Sequence, residues 1–85
     1  MNFSEQFNLI ENCKAKVLLE HIWFGQQVHY CEELHIINND DKIGLTLRRQ
    51  AIYIHKHNLI CAKKYDNMFV ISDDKLKITI IVNKV

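Results

Sequence analysis

Residues 42–48, "KIGLTLR", alternate with a period of two: Ile43, Leu45 and Leu47 fall on one side, Lys42, Gly44, Thr46 and Arg48 on the other. An amphipathic helix needs apolar residues three and four apart, so this pattern predicts a β-strand with one buried and one wet face. The same parity continues downstream, where Ile52 and Ile54 keep the buried side and Tyr53 and His55 the wet one. Upstream, "NNDD" at 38–41 supplies residues that tolerate tight-turn geometry. The preceding "CEELHII", residues 31–37, is therefore expected to be the first arm of a hairpin.

Period two also governs the stretch that begins at Lys14. Ala15, Val17, Leu19, His21 and Trp23 share one side and Lys16, Leu18, Glu20 and Ile22 the other, which predicts one long strand ending at Gly25. Beyond residue 57, the breaks "YDN" (65–67) and "SDDK" (72–75) separate "NLICAKK", "MFVIS" and "LKITIIV", short β-branched runs that favour strands. Only the amino terminus reads otherwise. Phe3, Phe7 and Ile10 recur at helical spacing, so a helix capped near Ser4 and ending around Asn12 is expected. The fold class is thus mainly β: one short N-terminal helix, then six or seven strands in a strongly bent antiparallel sheet or small barrel, because closure removes exposed edges.

Residues 1–85 make one small domain, and a chain of this size buries only about 60% of its unfolded surface. So small a core makes self-association favourable, and a homo-oligomer is expected. No apolar run approaches the roughly 20 residues that span a bilayer, and the acids in "MNFSEQFNLIENC" do not suit a secretory signal, so a cytoplasmic protein with no membrane association is expected. Cys13, Cys31 and Cys61 are an odd set without a CxxC pair and read as buried thiols of a reducing compartment.

The net charge of +1 conceals a strong asymmetry. Residues 1–41 carry two lysines against seven acids, residues 42–64 carry six cations and no acid, and residues 65–85 balance. The basic block holds Lys42, Arg48, Arg49, Lys56, Lys63 and Lys64, interleaved with Tyr53, His55 and His57. Cations that hold phosphate beside rings on which bases stack are the chemistry of a nucleic-acid surface. The same charges would equally serve as a solvated sheet face set against acidic residues across the sheet or on a partner protein.

His55 and His57, and likewise His29 and Cys31, sit two apart on one strand face, and two such dyads on paired strands would supply four ligands to zinc. Nothing fixes the registry of the two dyads, so no metal is expected. No glycine-rich phosphate loop or nucleophile elbow is present, and the pairs Glu32-Glu33 and Asp73-Asp74 fall at turns. The chain is expected to be non-enzymatic and without a cofactor.

A short helix followed by a bent β-meander resembles the Sm and Lsm-like proteins, including the bacterial Hfq branch. The most specific local likeness is Lys56-His57 in "IYIHKHNLI", placed like the lysine-histidine pair of the second Hfq motif. The likeness runs loosely over residues 4–62. It departs from the family in offering Gly25 alone in the first motif, an uncertain counterpart at Asn38, and about two further strands in "MFVISDDKLKITIIV". The resemblance implies a ring-forming RNA-binding domain in which Lys56 and His57 help form a base pocket. Residues and resemblance together predict an oligomeric, Sm-like domain that binds single-stranded RNA through Arg48, Arg49, Tyr53, His55, Lys56, His57, Lys63 and Lys64. The alternative is a protein-interaction module whose basic segment docks on an acidic surface.

Overall fold

A computed structural model of the chain describes residues 1–83. The chain runs through α1 (Phe3–Asn8), β1 (Ala15–His21), β2 (Gly25–Cys31), β3 (His35–Asn38), β4 (Lys42–Leu47) and β5 (Gln50–His55). A single 3₁₀ turn, Lys56–Asn58, leads to β6 (Cys61–Tyr65), β7 (Met68–Ser72) and β8 (Leu76–Val82). The strand deduced from "KIGLTLR" is β4, and its Ile43, Leu45 and Leu47 are all buried. "MFVIS" and "LKITIIV" are β7 and β8 residue for residue.

Two Asx turns make the hairpins flanking these strands. The Asn39 side-chain oxygen accepts from the backbone N–H groups of Asp41 and Lys42, each at 2.9 Å, and closes the β3–β4 turn. Asp73 does the same for Lys75 and Leu76 at 2.8 and 2.7 Å, between β7 and β8. Short side chains with an oxygen three bonds from the Cα are suited to this task, which is why "NNDD" and "SDDK" act as turns.

All pairing is antiparallel, in a five-stranded sheet ordered β2-β1-β8-β7-β6 and a three-stranded sheet ordered β3-β4-β5. Of the strongly bent sheet or small barrel expected, the closed barrel is not formed: among the described residues no ladder joins the two sheets, and β2, β6, β3 and β5 remain edges. Closure is replaced by face-to-face burial. Val17, Leu19, Phe69, Ile71, Ile78 and Ile80 of the larger sheet share one core with Ile43, Leu45, Leu47 and Ile54 of the smaller. Burying the two inner faces against each other removes their apolar side chains from water without closing a barrel. The helix joins this core through Phe7, whose ring stacks on Phe3 and meets the edge of Phe69 at centroid distances of 5.8 and 5.9 Å.

Three local expectations are corrected. The helix is capped by Asn2, not Ser4: Asn2 Oδ1 accepts from the Glu5 N–H at 2.8 Å and Glu5 reaches back to the Asn2 N–H, a reciprocal capping box. It ends at Asn8 rather than near Asn12, and Ser4 instead receives a hydrogen bond from Asn38. The long strand from Lys14 to Gly25 is a hairpin, because Gly25 adopts φ +77° and returns the chain after the exposed turn Ile22-Trp23-Phe24. "CEELHII" is likewise interrupted. Leu34 is wholly buried and exchanges backbone hydrogen bonds with Asn12 and Cys13, so β2 and β3 enter different sheets on either side of it.

At Gly44 the backbone of β5 passes close to β4. A Cβ there would lie 2.1 Å from the Ile52 carbonyl oxygen and 2.6 Å from the Tyr53 Cα, closer than any side chain tolerates. Among the described residues, no helix is long and apolar enough to cross a membrane.

Candidate nucleic-acid interface

The two-residue β4–β5 turn sets the register Leu47↔Gln50, Gly44↔Tyr53 and Lys42↔His55. Side chains opposite one another share a face, so Lys42, Tyr53 and His55 all stand on the outer face of the small sheet. Residue 44 carries no side chain opposite Tyr53, and the diagonal Lys42 ammonium reaches to 4.4 Å from the Tyr53 ring centroid. Tyr53 meets His55 edge-on at 5.3 Å, and His55 lies 5.6 Å from His57 at an interplanar angle of 36°. The three rings form one continuous row.

Strict alternation would send Lys56 away from this row, but the chain turns at that residue. The 3₁₀ turn begins there, and the Lys56 N–H donates to the Asp41 carbonyl at 2.8 Å, tying the end of β5 to the "NNDD" turn. This turn is what keeps His57 beside His55. His55 and His57 are exposed, and Tyr53 and Lys56 are half-buried.

The remaining site residues do not join the row. Arg48 and Arg49 form the β4–β5 turn at the opposite end of β5, about 16 Å away at the usual rise per residue. Both have left-handed backbone, φ 48° and 69°, and both line a cleft of about 380 Å³ with His29, Cys31, Glu33 and His35. Lys63 and Lys64 belong to the other sheet and point to opposite faces of β6, where Lys64 donates to the Asp66 carbonyl and covers the Phe69 ring. The basic block is therefore continuous in sequence and divided in space.

Lys42 is the ring row's missing member. It was visible as a cation but not as a partner of Tyr53; counting back from a two-residue turn at Arg48-Arg49 would have placed it opposite His55. The two dyads considered for zinc are not brought together, since His29 and Cys31 lie on β2 and His55 and His57 at the end of β5. Among the described residues no group of three or more His, Cys, Asp or Glu side chains is placed to hold a metal ion. Cys31, opposite buried Ala15, has its thiol pKa pushed up from the ordinary value by burial, which disfavours the nucleophilic thiolate.

No protein-family model, curated protein or solved structure matches this chain.

Proposed function

We propose that this protein is a non-enzymatic module that binds single-stranded RNA across the outer face of β4 and β5. The observation that carries this reading is the uninterrupted row Tyr53–His55–His57 with Lys42 over its first ring. The Tyr53 ring, edge-on to His55, and the tilted His55 and His57 imidazoles, at centroid spacings of 5.3 and 5.6 Å, offer stacking platforms to unstacked bases, while Lys42 and Lys56 supply charge for the phosphates between them. The likeness of Lys56-His57 to the Hfq second motif points to the same end of the row. Arg48, Arg49, Lys63 and Lys64 lie off this path and would add only long-range attraction. Ultraviolet cross-linking to a short uridine-rich RNA tests the assignment: adducts are expected within residues 50–58, and adducts confined to other segments would contradict it.

Self-association is a second property favoured by a separate observation. Trp23, Phe24 and Tyr30 are 68%, 77% and 79% exposed around β2, a seven-residue edge strand that lacks proline and lysine. Edges of this kind ordinarily carry such residues to prevent pairing with another chain. A second copy of this chain, adding its own β2 antiparallel about Val28, would satisfy the free edge and cover these side chains.

A further inference from the structure

The β4–β5 turn is built from the wrong residues for its geometry. A two-residue hairpin with both central residues at positive φ is a type I′ turn, a position normally held by Asn-Gly or Asp-Gly. Elsewhere in the chain left-handed backbone falls on Asn12, Gly25 and Asp66, residue types that tolerate it. Arg48 and Arg49 do not, because a Cβ crowds the following carbonyl in that region. Strain of this kind persists only where the surrounding structure holds it in place, and it clusters at ligand-binding and active sites.

Their surroundings indicate the purpose. Among the described residues neither guanidinium takes part in an ion pair, and both border the 380 Å³ cleft whose opposite wall is the end of β2. His29 and His35 face the same space, His29 bonded to Gln27 at 3.1 Å and His35 to Glu11 at 3.1 Å. Among the described residues Glu33 is the one carboxylate lining the cleft and Glu11 is engaged by His35, which leaves two guanidinium charges facing Glu33. Planar guanidinium forks match the oxygen spacing of a phosphate.

We infer that the cleft between the end of β2 and the Arg48-Arg49 turn is an anion site that takes a phosphate monoester, with His29 on the wall facing the two guanidinium groups. It is separate from the ring row on β5, and nothing in its geometry depends on that row binding RNA. The monoester is either the 5′ end of a nucleic-acid strand or a small phosphorylated molecule.

The test is calorimetric titration at low salt with phenyl phosphate, and with a 5′-phosphorylated and a 5′-hydroxyl tetranucleotide, against wild type, Tyr53→Ala and Arg48→Asn/Arg49→Gly. Wild type and Tyr53→Ala are expected to bind phenyl phosphate alike. The turn variant should bind it roughly 10- to 100-fold more weakly, the loss expected for charge-assisted hydrogen bonds. The same variant should melt at a higher temperature, because Asn-Gly relieves the turn. A tenfold preference for the 5′-phosphorylated strand would assign the site to strand ends, and equal affinity for the two strands would assign it to small phosphorylated molecules. The inference is overturned if wild type binds none of the phosphomonoesters, if the turn variant binds phenyl phosphate as wild type does, or if it melts no higher.

Discussion

Lys42 and Tyr53 are eleven residues apart in sequence and 4.4 Å apart across the β4–β5 hairpin, ammonium over ring. Gly44 lies between them on the same face, where the Ile52 carbonyl and the Tyr53 backbone occupy the place a side chain would need. The pairing turns a cation and an aromatic ring that look unrelated in the sequence into the head of a row that ends at His57.

Gly44→Ala should therefore damage both the fold and the row. The added methyl meets the Ile52 carbonyl and the Tyr53 backbone, so β5 must shift outward, at a cost of about 1–3 kcal/mol typical of overpacking. Chemical denaturation measures the loss, and an unchanged midpoint would show that the hairpin has slack there.

Asp73→Ala should cost about 1–3 kcal/mol, because two backbone N–H groups lose a carboxylate acceptor, while the neighbouring Asp74→Ala should be close to neutral. Thermal melts of the two variants side by side separate the turn's hydrogen bonds from a general charge effect.

Much of this was legible in the sequence because period two is a local property. Ile43, Leu45 and Leu47 were placed by alternation, and β7 and β8 by their short β-branched runs between turn residues. The same rule failed at Ile22-Trp23-Phe24, where apolar residues in an exposed turn continued the parity of β1 and concealed the return at Gly25. Sheet partnership is not local: β1 pairs with β8 across 55 to 67 residues of sequence, from His21↔Leu76 to Ala15↔Val82, and the division of the strands into two sheets is equally invisible to a local pattern. The basic block misled for a related reason. Its six cations lie in one acid-free stretch, residues 42–64, but the β4–β5 turn and the alternation along β6 send Arg48, Arg49, Lys63 and Lys64 to different surfaces.

Val28→Lys tests self-association through β2. A lysine on an edge strand opposes pairing with a second copy, so wild type should scatter light as a dimer or larger species and the variant as a monomer. A monomeric wild type at high concentration would remove β2 as a subunit interface.

The most direct test of RNA binding at the ring row is the affinity of a short single-stranded RNA for wild type, Tyr53→Ala and Lys42→Ala across a series of salt concentrations. Loss of the Tyr53 ring should weaken binding by about 1–3 kcal/mol at every salt concentration, the usual value of a stacked base. Loss of the Lys42 charge should weaken it most at low salt and flatten the salt slope by roughly one phosphate contact. Wild type that fails to bind at low salt, or variants indistinguishable from it, would contradict the assignment of this face to RNA.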